Sequence, residues 1–123
     1  MTRKFRQNIG TVLEETEEEI VAGFRDCEEE LKDLSNNEYT ELGDRAANSK
    51  SVDELDSVMR YYERRLARTR SAKKRLENGN YGICMECGKT ISEPRLSANP
   101  AALFCIECAS RRERLRKYRR HAS

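Results

Sequence analysis

The sequence predicts an all-α fold: a long antiparallel coiled-coil hairpin, followed by a small cysteine-built module and a C-terminal helix. Three observations carry this. Hydrophobic and charged residues each make up 37% of the 123 residues, which leaves too few apolar side chains for a wide globular core. Aromatic residues are 7%, tryptophan is absent, and Ala, Glu, Lys, Arg and Leu are common, the composition of long helices. Apolar positions recur at threes and fours along two separate stretches, the spacing of a helix seam rather than a strand.

The first stretch runs Leu13, Ile20, Phe24, Cys27, Leu31 and Leu34, interrupted at Glu17. Thr11 after Gly10, with Glu14 three residues on, has the spacing of a capping box, so the first arm is expected over residues 11–35. A second stripe follows Val52, Leu55, Met59, Tyr62, Leu66 and Leu76, with Thr69 and Lys73 filling its weaker steps. Ser51 and Glu54 form its capping box and place the second arm over residues 52–78. Each arm then extends roughly 40 Å at about 1.5 Å per residue, and the two can zip together. Asn36, Asn37, Gly43 and Asn48 break helical regularity between them, which puts the tip of the hairpin near residues 36–50. Asn78-Gly79-Asn80-Tyr81-Gly82 is a turn-rich exit, and a last helix is expected over about residues 106–120, with Leu115 and Tyr118 as its apolar contacts. The organisation expected is a hairpin over residues 1–78 and a cysteine module with a basic helix over residues 79–123.

Charge is strongly segregated beneath a formal net charge of +2. Residues 11–44 hold thirteen Asp or Glu against two Lys or Arg, whereas residues 60–75 hold eight Lys or Arg against Glu63 alone. An acidic first arm and a basic second arm favour each other over self-association, so a monomer is expected. Exposed pairs contribute less than about 1 kcal/mol each, so the apolar seam supplies the stability while charge sets register. Residues 111–120 add seven further cations against Glu113.

No apolar run approaches the roughly 20 residues of a membrane span, and Met1 to Gly10 lack the hydrophobic stretch of a signal peptide; a cytoplasmic location follows as the expectation. In that reducing compartment, five cysteines of which four form two Cys-x-x-Cys pairs argue for metal rather than disulfides. Cys84 and Cys87 are separated from Cys105 and Cys108 by seventeen residues between the pairs, a spacing typical of a four-cysteine zinc site. Paired thiolates two residues apart can both reach one ion, and two such pairs complete a tetrahedron. With every position taken by sulfur, no place remains for water or substrate, so the one Zn2+ expected is structural. Gly88 suits the tight turn after the first pair, and Pro94 and Pro100 stiffen the intervening loop. Cys27 lies on the first arm's apolar stripe and is expected in the core rather than at the metal. A thiol-redox use of the paired cysteines competes, but it lacks the strand-helix-strand context such chemistry uses. No Ser/His/Asp set, glycine-rich phosphate loop or acid/base carboxylate pair is present, and His121 sits alone near the end of the chain. No enzymatic activity is expected.

The residues Gly79-Asn80-Tyr81-Gly82-Ile83-Cys84-Met85-Glu86-Cys87-Gly88, then Ile91, Arg95-Leu96, Ala98, Pro100 and Cys105-Ile106-Glu107-Cys108, resemble the DksA/TraR zinc-finger family of bacterial transcription regulators. The resemblance covers roughly residues 76–110, and the preceding hairpin is similar in architecture and register. It implies a regulator that binds RNA polymerase and inserts its coiled-coil tip into the secondary channel, without sequence-specific DNA binding. The family's tip pattern is an aspartate, two residues, a second aspartate, any residue and alanine; here Glu41-Leu42-Gly43-Asp44-Arg45-Ala46 stands in that place. Asp44 and Ala46 match, Glu41 departs from the pattern, and Asp44 becomes the implied effector. Some relatives respond to guanosine tetraphosphate through basic residues at the polymerase interface. Arg68 keeps a charge at one such position, as a polymerase or alarmone contact, whereas Tyr61, Asn99 and Ala109 replace basic groups at others, which implies weak or absent alarmone dependence. The alternative class is a nucleic-acid-binding zinc module using Arg111, Arg112, Arg114, Arg116, Lys117, Arg119 and Arg120.

Overall fold

A computed structural model describes residues 1–36 and 42–122, with the side chains of residues 36, 42–50 and 122 outside the description. Four helices follow one another: α1 (Arg3–Asn36), α2 (Leu42–Asn78), α3 (Glu93–Ala98) and α4 (Ile106–Ala122). Among the described residues the only extended pairing is an isolated antiparallel bridge between Ile83 and Thr90. The chain forms two compact units, one of Met1–Leu13 with Ser71–Ser123, the other of Glu14–Arg70. The end of α2 falls at residue 78, as expected, but the compact units divide elsewhere.

Helix α1 starts eight residues before the expected start. Thr2 caps it, its Oγ1 accepting from the Phe5 amide at 3.1 Å and its carbonyl from the Arg6 amide at 3.1 Å. The capping box expected at Thr11 does not form; the Thr11 hydroxyl donates back to the Gln7 carbonyl inside a continuous helix. What overrides the local signal is burial, because the first turns carry Phe5 and Ile9 into the core ahead of Leu13. Helix α2 likewise starts at Leu42 rather than near residue 52, and runs through the Ser51 signal and through Gly43 and Asn48. Its C-terminus behaves as the sequence suggests. The Asn80 amide donates to the Arg75 carbonyl at 3.0 Å and the Gly79 amide to the Leu76 carbonyl at 3.4 Å, the two bonds of a Schellman motif. Gly79 takes φ +80° there, a conformation a Cβ would strain.

In the Glu14–Arg70 unit the two helices run antiparallel. Glu17 faces Arg70 at 3.9 Å, Gly23 faces Tyr62, and Leu31 lines one cleft with Met59, so residue numbers descend on α2 as they rise on α1. The absence of a side chain at Gly23 lets the Tyr62 ring approach, since a Cβ there would lie 2.7 Å from the ring. Glu17, the break in the apolar stripe, turns its carboxylate to the Arg70 guanidinium. Ile20 and Thr69 are buried, the Thr69 hydroxyl donating to the Arg65 carbonyl at 2.8 Å. Phe24, Cys27, Leu31, Leu34, Val52, Leu55, Met59, Tyr62 and Leu66 are half-buried, because a seam between only two helices covers one side of each side chain.

The other unit adds a third layer and a true core. Ile9, Leu13, Ala72, Tyr81, Cys84, Ile91, Leu96, Ala102 and Cys108 are buried together, with Phe5, Leu76, Ala101, Phe104 and Cys105 packed against them. The α2 stripe passes through Ala72 at this point, fully buried, while Lys73 is half-buried. A small residue is needed there for the cysteine module to sit close. Leu13 and Leu31 therefore carry unequal weight: Leu13→Ala should cost about 3 kcal/mol of unfolding free energy and Leu31→Ala about 1 kcal/mol, read from urea melts of zinc-loaded protein.

Candidate metal centre

The two cysteine pairs sit on different kinds of backbone, and each is fixed by main-chain bonds. Cys84 and Cys87 occupy a turn closed by the Gly88 amide on the Cys84 carbonyl at 3.0 Å and by the Cys84 amide on the Lys89 carbonyl at 2.8 Å. Gly88 adopts φ +74° to make this knuckle, the role its position suggested. Cys105 precedes α4 and Cys108 lies in its first turn. The Met85 amide donates to the Leu103 carbonyl at 2.9 Å, which ties the first turn to the approach of the second pair. The Ile91 amide on the Gly82 carbonyl at 2.7 Å closes the loop from the other side.

Between the pairs, where the prolines suggest a stiffened loop, lies the short helix α3. Its signals were present: Ser92 caps it by accepting from the Arg95 amide at 3.4 Å, and Pro94 falls in its first turn, where the missing amide costs nothing. The helix brings Leu96 into the core and aims Arg95, whose Nε donates to the Phe104 carbonyl at 2.9 Å. Arg112 lies over the Phe104 ring at 4.2 Å, a cation–π contact from α4. Tyr81 is buried and donates to the Pro100 carbonyl at 2.7 Å. In the sequence Arg95 and Leu96 stand out only through the family resemblance, Tyr81 through that and the turn-rich exit, and Arg112 only through its charge, because these contacts form only once the chain has folded.

All four sulfurs lie within 4.8 Å of one another, and Cys87 Sγ is 3.8 Å from Cys105 Sγ. A tetrahedron with zinc–sulfur bonds of about 2.3 Å has edges of about 3.8 Å, so the arrangement fits one ion without rebuilding. No disulfide joins them. Burial acts to raise the Cys84 thiol, but amides of Cys87, Cys105 and Glu86 and the Cys87 side chain outweigh it and bring it down to about 6. Cys108 is pushed up, first by burial and then by its Cys105, Cys84 and Cys87 neighbours. Four thiolates cannot share this space without a cation, and a divalent ion offsets that repulsion. Cys84 and Cys108 are buried, Cys105 half-buried and Cys87 exposed, so the site closes at the surface of the module.

The comparison with known proteins follows the same lines. Residues 79–114 match the prokaryotic dksA/traR C4-type zinc finger. The RNA polymerase-binding transcription factor DksA of Caulobacter vibrioides is 34% identical over 104 residues, spanning 84% of this chain and 72% of that protein. The chain belongs to the DksA/TraR family. A protein of Aquifex aeolicus is 49% identical over 43 residues, 35% of this chain and only 30% of that protein's length. The structure of transcription factor DksA2 from Pseudomonas aeruginosa superposes with a TM-score of 0.85 at 25% identity, covering 94% of this chain and 88% of that one. As a DksA/TraR protein the chain is a non-enzymatic regulator with one structural zinc ion, and four sulfurs are positioned to bind it.

Of the remaining sequence-predicted residues, Arg68 is exposed on α2. Asp44 and Ala46 fall on the first turns of α2 with side chains outside the described residues, and Glu41 lies outside them altogether. Cys27 is half-buried on α1 and takes no part in the sulfur cluster; burial, then Glu30 and Asp26, raise its thiol. No described helix is long and apolar enough to cross a membrane.

Metal analysis should return one zinc per chain, and Cys84→Ser should abolish stoichiometric zinc and melt the helices beside it by circular dichroism. Tyr81 supplies a separate test. Burial pushes its phenol up to about 12 despite the nearby Arg75, so the folded state holds the proton more tightly than the unfolded chain does. That contribution is complete below about pH 10, where the unfolded phenol titrates, and is lost as pH rises towards 12. Tyr81→Phe should cost about 1 kcal/mol at neutral pH and flatten the alkaline fall in stability between pH 10 and 12, measured by urea melts across that range.

Proposed function

We propose that this chain is a bacterial transcription regulator that binds RNA polymerase and inserts its coiled-coil tip, near residues 36–50, into the enzyme's secondary channel, modulating initiation without sequence-specific DNA binding. The observation that carries the reading is the breadth of the match: likeness to an RNA polymerase-binding factor extends over 84% of the chain, through both long helices and not the zinc module alone. A zinc module of this type could serve many partners. A matched pair of helices thirty-four and thirty-seven residues long, built around it, is shared for a narrower reason.

The chemistry is delivery rather than catalysis. The metal's coordination is filled by thiolates, which leaves no position to activate water, and its contribution is to fix the fold of the module. Asp44 is the effector in this reading, with Glu41 and Ala46 beside it in sequence. A carboxylate presented near a polymerase active centre competes for hydrogen bonds and cation contacts there, and so alters initiation complexes without bond-making. The longer Glu41 carboxylate stands where relatives have aspartate. Alarmone dependence is weak or absent, because Arg68 alone keeps its charge while Tyr61, Asn99 and Ala109 offer none. The acidic α1 and basic α2 satisfy each other within one chain, which supports a monomer that works in the cytoplasm where polymerase is found.

A pull-down with RNA polymerase, paired with transcription in vitro, tests the reading. Asp44→Asn should keep binding close to that of the parent and lose most of the effect on transcription, and Cys84→Ser should lose binding. A parent protein that neither binds nor changes transcription, or an Asp44→Asn protein that acts like its parent, would sink the proposal. A full guanosine tetraphosphate response that disappears on Arg68→Ala would overturn the alarmone part alone.

A further inference from the structure

Helix α4 is exposed from Ser110 to His121, and Arg112 over the Phe104 ring ties it to the module. Leu115 and Tyr118, expected as its apolar contacts, are instead 50% and 71% exposed. They touch no core because seven cations crowd the same turns, and guanidinium groups are not drawn off water for so small an apolar gain. The helix is nonetheless firmly rooted, since Cys108 in its first turn belongs to the sulfur cluster and is buried.

The distribution of those cations identifies the partner. At about 100° per residue, Arg111, Arg112, Arg114, Arg116, Lys117, Arg119 and Arg120 leave no sector wider than about 80° without a positive charge. A helix that docks on a flat acidic protein surface needs cations on one side only, with apolar anchors at the contact. A helix that enters a groove walled by phosphates meets anions on several sides at once, and the major groove of duplex DNA, about 12 Å wide, admits one. The charge density also agrees. Ten helical residues span about 15 Å, over which duplex DNA carries about nine phosphates against these seven cations.

We propose that α4 is a nucleic-acid-binding helix that holds the phosphate backbone of duplex DNA without reading its sequence, a surface separate from the segment proposed to act on polymerase. Arg112, Arg116 and Arg119 line a cleft of about 250 Å³ with Leu115, and the guanidinium is the side-chain group whose fork of donors matches phosphate oxygens. In the free protein these cations repel one another at i,i+3 and i,i+4 spacing, and Glu113, 4.0 Å from Arg116, offsets little of it. Phosphate contact removes that repulsion, so binding also firms the helix.

The test is fluorescence anisotropy with the zinc-loaded full chain and two labelled 30-base-pair duplexes of unrelated sequence, with polyglutamate as a probe for acidic proteins. Both duplexes should bind with similar affinity, and that affinity should fall on the order of 100-fold between 50 and 200 mM salt if about four phosphates are neutralised. Arg112→Gln/Arg116→Gln/Arg119→Gln should weaken binding at least tenfold and flatten the salt dependence. Lys4→Gln/Arg64→Gln/Lys74→Gln, which removes the same charge from exposed positions elsewhere, should leave both unchanged. Zinc content and circular dichroism confirm that both triples fold. The proposal is overturned if no duplex binds at 50 mM salt, if both triples lose affinity equally, or if polyglutamate binds through α4 while DNA does not.

Discussion

Everything in the unit of Met1–Leu13 and Ser71–Ser123 depends on one interaction, the convergence of four thiolates on a single divalent ion. The segment from Gly79 to Cys108 is too short to bury a self-sufficient core, and its interior contains few large apolar groups beyond Ile91 and Leu96. Coordination replaces the missing hydrophobic energy. Because Cys84 and Cys108 are themselves core residues, the same bonds that hold the metal also hold the surface on which Ile9, Leu13 and Ala72 pack. The ends of the two long helices are thereby fixed to the module, and α4 starts at the metal.

The Glu14–Arg70 unit obeys a different rule. With two helices and no third layer, its seam side chains remain half in water, so the stability available per residue is lower than around the metal. Close approach is gained by small devices, such as the bare backbone at Gly23 under the Tyr62 ring. Charge adds selectivity more than energy: Glu17 and Arg70 are 3.9 Å apart with Arg70 well exposed, a geometry that contributes little to stability but penalises a shifted register. An acidic helix beside a basic one favours this antiparallel pairing over one in a shifted register.

Arg75 shows what the fold tolerates at the junction of helix and module. Its Nε donates to the Ser71 carbonyl at 3.4 Å, while both terminal nitrogens are buried without a hydrogen-bond partner among the described residues. Burial holds its pKa below the ordinary arginine value, and the neighbouring Tyr81 partly offsets this.

The sequence by itself determined the helical class, the pairing of an acidic arm with a basic one, the end of α2 at Asn78 before Gly79, and the four cysteines that cluster to suit one ion. Those features rest on local periodicity, on glycine's tolerance of positive φ, and on a thiol spacing that only a shared ion satisfies. Helix starts were not legible, because capping boxes at Thr11 and Ser51 are local signals that the burial of Phe5 and Ile9, or the continuity of α2, outweighs. Nor were α3 and the contacts that Tyr81 makes to Pro100 and that Arg95 and Arg112 make to Phe104, since each depends on a partner that only folding brings near. Tertiary structure also decided that Leu115 and Tyr118 face water, an outcome set by the seven cations around them.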